Sequence, residues 1–137
     1  MAKTSVSKKT AVRRKAAPKL PRSVLGAVHA VQDKKAVDVV VLDLRKAGGF
    51  TDYFVICTGR NARQTKAIWD EVHERLKHEG RILPRRVEGA SEGSWIIGDY
   101  LDTVLHVFTP EARDYYRLED LWGDVPLVSV EAASATA

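Results

Sequence analysis

Residues 93–108 read Gly93-Ser94-Trp95-Ile96-Ile97-Gly98-Asp99-Tyr100-Leu101-Asp102-Thr103-Val104-Leu105-His106-Val107-Phe108. Two apolar runs rich in β-branched residues flank a short acidic turn, which is the pattern of two consecutive strands. An ordinary two-residue hairpin loop favours Asn-Gly or Gly-X, which reach positive φ at little cost. Here the turn is Asp-Tyr-Leu-Asp, with an aromatic ring beside it. Strand alternation places Trp95, Ile97 and Asp99 on one face and Ile96 and Tyr100 on the other, unless Gly98 bulges. One of these faces has to be core. A large indole among acids on the other has the character of a binding surface, with an apolar anchor and charges that steer a basic partner. A Trp95 packed entirely in the core is the competing reading.

Outward from this stretch the hydrophobic periods lay out the rest of the chain. Ser23 is a candidate N-cap for a helix carrying Val24, Leu25, Val28 and Val31 to about residue 35. Val37 to Leu44 reads as a strand, Lys46-Ala47-Gly48-Gly49 as a turn, and Tyr53 to Thr58 as a strand apolar enough to be central and covered on both faces. Asn61 with Gln64 forms a capping box for a second helix, whose inner face is read as Ala67, Ile68, Val72 and Leu76 and whose stop is read as Gly80. A short strand is expected around Arg86-Val87-Glu88, then the two strands of the opening stretch. A last helix starts at Thr109-Pro110-Glu111, and its aromatic block Tyr115, Tyr116 and Trp122 is expected to pack rather than bind. The order α-β-β-α-β-β-β-α implies an α/β fold, a mixed sheet of about five strands flanked by helices. Residues 1–22 are expected to be a disordered basic arm, 23–123 the domain, and 124–137 a largely flexible tail.

The charge is divided along the chain. Residues 1–22 carry eight basic side chains and no acid, whereas the other 115 residues carry 14 basic and 18 acidic ones, a net −4. The high isoelectric point therefore belongs to the arm. Lys8, Lys9, Arg13, Arg14 and Lys15 are candidate RNA contacts. A solvated tail and an organellar transit peptide are the other readings of the same segment. The single cysteine, Cys57, excludes an internal disulfide framework and suits a reducing compartment. No apolar run approaches the ~20 residues of a membrane span.

Motifs for catalysis are missing. Gly59-Arg60 lacks the Gly-Lys-Ser/Thr ending of a phosphate loop, and there is no Gly-x-Ser-x-Gly elbow. His73 and His78 lie five apart on one helix, which does not aim both at one metal, and no cysteine or carboxylate cluster joins them. Neither a metal nor a cofactor is expected. Cys57 sits in an apolar strand without a base nearby in sequence and reads as an inert core thiol. His106 reads as a packed, hydrogen-bonded strand histidine. The nearest approach to an active site is Gly48-Gly49-Phe50-Thr51-Asp52-Tyr53-Phe54, where a metal-dependent nucleotidyltransferase would carry Asp-x-Asp. Two-metal chemistry needs a second carboxylate, and position 54 is Phe, which leaves Asp52 as a turn or cap acceptor.

Four blocks together resemble the ribosomal silencing factor (Iojap-like) family. They are Asp38 to Leu44; Thr51-Asp52-Tyr53-Phe54-Val55-Ile56-Cys57-Thr58-Gly59-Arg60; Glu88-Gly89 with Trp95-Ile96-Ile97, Asp99-Tyr100 and His106-Val107-Phe108; and Arg113 with Tyr116, Leu118, Glu119, Leu121 and Trp122. The resemblance covers about residues 24–123. It implies a nucleotidyltransferase-like fold without the catalytic acids, and a protein that is not an enzyme. It further implies binding to the large ribosomal subunit through ribosomal protein fourteen, a block on association with the small subunit, and repression of translation when nutrients fall. Its members are bacterial, mitochondrial or plastid, and many form homodimers. The implied contact strip is Trp95, Ile97, Asp99, Tyr100 and Asp102, with Thr51, Asp52 and His106 as a secondary surface. A cytoplasmic bacterial location is expected, or an organelle if residues 1–22 are a transit peptide. Two positions depart from the family pattern: Leu101 stands where Gly is usual, and Gly98 stands where an apolar residue is usual.

Overall fold

A computed structural model describes residues 20–135. The arm residues Lys8, Lys9, Arg13, Arg14 and Lys15 lie outside them. The elements are α1 (Arg22–Asp33), β1 (Val37–Asp43), β2 (Tyr53–Thr58), α2 (Ala62–Gly80), β3 (Arg86–Glu88), β4 (Trp95–Asp99), β5 (Thr103–Phe108), α3 (Pro110–Tyr116), a 3-10 turn (Leu118–Trp122), β6 (Leu127–Val128) and α4 (Val130–Ala135). The strands form one sheet in the order β3-β4-β5-β2-β1-β6. β2 and β5 run parallel and every other neighbouring pair is antiparallel. The sheet therefore has six strands rather than five. The sixth comes from the stretch read as a flexible tail: Leu127 and Val128 pair with Leu42 and Val41, and α4 buries Ala133 in the core. Two residues of strand and one buried alanine leave little hydrophobic signal, so composition alone reads this segment as a tail.

β2 and β5 are buried at every position, as expected of central strands covered on both faces. On one face α1 sets Val24, Ala27, Val28 and Val31, and α2 sets Ile68, Trp69, Val72 and Leu76, against Val55, Cys57, Ile96, Leu105 and Val107. Trp69 belongs to this inner stripe, while Ala67 is only half-buried. On the other face a second cluster holds Leu42, Leu44, Phe54, Ile56, Val104 and Phe108. It is partly covered by Ala112 of α3, by Leu118 and Trp122 of the 3-10 turn, and by Val125.

The ends of α1 and α2 differ from the sequence reading. Pro21 occupies the N-cap of α1, where no side-chain bond is made. Ser23 instead bonds the Asp102 carboxylate and the Thr103 hydroxyl, each at 2.8 Å, and so ties α1 to the turn between β4 and β5. At α2 the first half of the capping box forms, with Asn61 accepting from the Gln64 N–H at 3.0 Å, while Gln64 Oε1 reaches one residue further back and accepts from the Arg60 N–H at 2.6 Å. The left-handed residue closing α2 is Arg81, at φ 55°, while Gly80 is still helical. The Arg81 and Ile82 N–H groups return to Lys77 and Leu76, which satisfies the last carbonyls with a non-glycine residue.

Candidate functional interface

β4 alternates as expected, without a bulge: Ile97, Gly98 and Asp99 face His106, Leu105 and Val104 in regular register. Gly98 instead serves a close approach. A Cβ there would stand 2.8 Å from Trp69 Cη2 and nearer still to Cζ3, so this glycine is the slot that lets Trp69 lie against the sheet. Leu101 keeps the turn that a glycine would make, at φ 78°, with its side chain exposed. Asp99 stabilises it by accepting from the Leu101 N–H at 2.9 Å.

Trp95 and Ile97 project onto the less covered face, both half-buried. The Trp95 indole N–H donates to His106 Nδ1 at 3.1 Å, and the ring lies 4.9 Å from Phe108 and 4.7 Å from Tyr116, centroid to centroid. From there aromatic contacts run in both directions. Tyr116 meets Tyr115 at 4.9 Å; His106 meets Phe54 at 4.5 Å, and Phe54 in turn meets Trp122 and Phe50. The ladder is buried in the middle and open at its ends: Tyr115 is 79% exposed, Tyr116 51% and Phe50 66%, and Leu121, next to Trp122 in the chain, is 75% exposed. No residue of α3 is buried, so this helix sits on the surface and presents its tyrosines outward.

Arg113 anchors this segment, giving both Nε and Nη2 to Glu119 Oε2, at 3.0 and 2.6 Å, and Nη1 to the Thr58 hydroxyl at 2.8 Å. These bonds join the helix and the 3-10 turn to the end of β2. Tyr115 and Tyr116, expected to pack, are the exposed part of the aromatic block. The left-handed Arg117 turns the chain after them, so that Leu118, Trp122 and Val125 return to the sheet. Phe50 was not foreseen as a surface residue; its place in a polar glycine-containing turn is the signal that could have found it.

The remaining contact-strip residues do not gather into one exposed patch. Tyr100 is 6% exposed and packs in the opposite core against Trp69, its phenol pushed above the usual range by burial. It therefore leaves the strip, as alternation already places it on the other face. Asp99 is largely enclosed and pairs with Arg85 at 3.1 Å, and Asp102 is held by Ser23. These acids are structural acceptors of the turn before they are steering charges. Of the secondary surface, Thr51 is buried and donates to the Leu101 carbonyl at 3.0 Å. Asp52 has an exposed side chain and uses its backbone, the N–H toward Asp102 and the carbonyl toward Leu44. His106 is buried, its pKa lowered to about 3 by burial, so the ring is neutral at physiological pH. With Nδ1 accepting, the proton sits on Nε2, which has no hydrogen-bond partner among the described residues. Cys57 is buried, its thiol pushed up to about 12 by the same cause, which makes it unreactive.

Phe54 is buried in the ladder, so the position of a second catalytic acid is filled by a core ring. Among the described residues no three His, Cys, Asp or Glu side chains converge as metal ligands, and no helix is long and apolar enough to cross a membrane.

Residues 17–137 match the model of a family described as ribosomal silencing factor during starvation. A ribosomal silencing factor of Halalkalibacterium halodurans is 42% identical over 105 residues, covering 77% of this chain and 89% of the relative. A mouse protein named for mitochondrial assembly of the ribosomal large subunit is 32% identical over 97 residues, 69% of this chain and 42% of that protein. A crystal structure of a Chromobacterium violaceum protein superposes with a TM-score of 0.73 at 34% identity, covering 77% of this chain and 88% of that one.

Proposed function

The chain belongs to the ribosomal silencing factor family, and we propose that it acts as a steric wedge on the large ribosomal subunit. The aromatic ladder docks on ribosomal protein fourteen and places the domain where the small subunit must seat. Translation falls because the subunits do not join, and no reaction is needed. The observation that carries this reading is the ladder itself: a row of rings, buried at His106, half-buried at Trp95 and open at Tyr115, Tyr116 and Phe50. Tyr and Trp anchors in such a setting supply contact area with few rotamers to freeze. The mouse relative's name points to the large subunit as the place of action.

The test is pelleting of the full chain with purified large subunits. Tyr115→Ser combined with Tyr116→Ser removes two of the exposed rings and keeps every buried residue of the core. Truncating two aromatic anchors is expected to weaken binding by ~2 kcal/mol or more, at least 30-fold. Binding equal to wild type by a folded double variant sinks the assignment of this face.

A further inference from the structure

The ladder is not the only surface the fold assembles. At one end of the sheet the α1–β1 connection and the entry to α2 meet, locked by Gln64, whose side-chain amide donates to the Lys34 carbonyl at 3.0 Å and the Lys35 carbonyl at 3.4 Å. Around an open hollow of about 420 Å³ this brings together Lys34, Lys35, Arg60 and Arg63, all exposed. None of the four makes an ion pair among the described residues. The one acid lining the hollow, Asp33, is already engaged by Arg75 at 2.7 Å. Elsewhere Arg45, Arg75, Arg85, Arg86, Arg113 and Arg117 all face carboxylates. The chain beyond residue 22 has a net charge of −4, so four uncompensated cations in one place are a local reversal of its field.

We propose that this hollow is a second docking surface, one that grips an RNA phosphate backbone. A polynucleotide carries a charge on every residue, a density that can meet four cations within one hollow. Arg60 and Arg63 bring forked donors suited to phosphate oxygens, and Lys34 and Lys35 bring point charges. Such contacts position a protein without reading sequence. The hollow lies at the C-terminal end of α1, ~18 Å from the start of that helix by its rise, and its lining comes from residues 33–35 and 60–67. This rests on the reading that the protein sits on the large subunit, and it adds that ribosomal RNA, besides ribosomal protein, holds it there.

The experiment measures affinity of the full chain for protein-free large-subunit rRNA across a salt series. The patch variant carries Lys34→Gln, Lys35→Gln, Arg60→Gln and Arg63→Gln. A charge-matched control carries Lys46→Gln, Lys77→Gln, Arg81→Gln and Arg86→Gln. Circular dichroism checks both folds. Engagement of three phosphates gives a wild-type slope of log K against log salt steeper than the patch variant's by ~2 to 3. Between 50 and 200 mM salt the wild type then loses about 20- to 40-fold more affinity than the variant. An unchanged slope in the patch variant overturns the proposal, and so does an equal drop in the control, which makes the effect one of net charge. Weaker binding to whole subunits with no change on bare rRNA assigns the patch to an acidic protein instead and also overturns it. Because the rRNA probe contains no ribosomal protein, failure of the ladder's docking leaves this result unaffected.

Discussion

Mild acid should loosen this fold through a single histidine. His106 is enclosed by Phe54, Phe108 and Trp95, and its Nδ1 accepts the indole N–H of Trp95. An indole nitrogen only donates. Protonating Nδ1 would set two N–H donors against each other inside an apolar cluster, so the folded ring resists the proton until about pH 3. In the unfolded chain an imidazole takes it up near pH 6.5. Because the folded pKa is depressed, the stabilisation is complete above ~6.5 and is lost as pH falls below it, at up to ~1.4 kcal/mol per pH unit. From pH 7 to pH 5 the loss comes to ~2 kcal/mol. Most carboxylates are still ionised in the unfolded chain over this window, so their contribution is small. With a urea slope of ~2 kcal/mol per molar, the unfolding midpoint should move down by ~1 M. His106→Gln keeps a neutral acceptor for Trp95 at every pH and should flatten the response by that amount. If wild type and His106→Gln lose the same stability between pH 7 and pH 5, the buried neutral imidazole is not what couples the fold to pH.

Three further substitutions test the geometry around β4. Leu101→Gly relieves a left-handed leucine, worth ~1–2 kcal/mol, against the ~0.5–1 kcal/mol that glycine's freedom costs, so thermal unfolding should shift up by a few degrees; a lower midpoint contradicts the strain. Gly98→Ala drives a methyl into Trp69 and should cost ~2 kcal/mol in urea unfolding. That cost should shrink in a Trp69→Leu background, and additivity of the two changes would refute the slot. Trp95→Phe keeps the stacking but leaves His106 Nδ1 buried without a donor, which should cost ~1–3 kcal/mol in the same assay; an unchanged midpoint means the bond carries no weight.

What the sequence reveals here follows its periodicities. β2, β5, both faces of β4 and the Asn61 cap of α2 are legible because burial and helix entry write themselves into residue type at fixed spacing. What escapes is set by tertiary partners. Ser23 looks like a cap but bonds a turn far along the chain, and a serine looks the same in either role. β6 and α4 are too short to carry a period. The strip around Trp95 was half legible. Its alternation predicted the open face, whereas the enclosure of Tyr100 and the pairing of Asp99 depend on Trp69 and Arg85, from elements outside the turn. The exposure of Tyr115 and Tyr116 follows from the left-handed break at Arg117, a residue type that gives no warning of it.

The most direct measurement mixes separated ribosomal subunits after incubating the large one with the full chain, and follows joining by gradient sedimentation. The account predicts that free subunits accumulate, that the protein travels with the large subunit, and that the Tyr115→Ser/Tyr116→Ser variant loses both effects while staying folded. Subunits that join at the wild-type rate with the protein bound, or a double variant that blocks joining as well as the native chain, would contradict it.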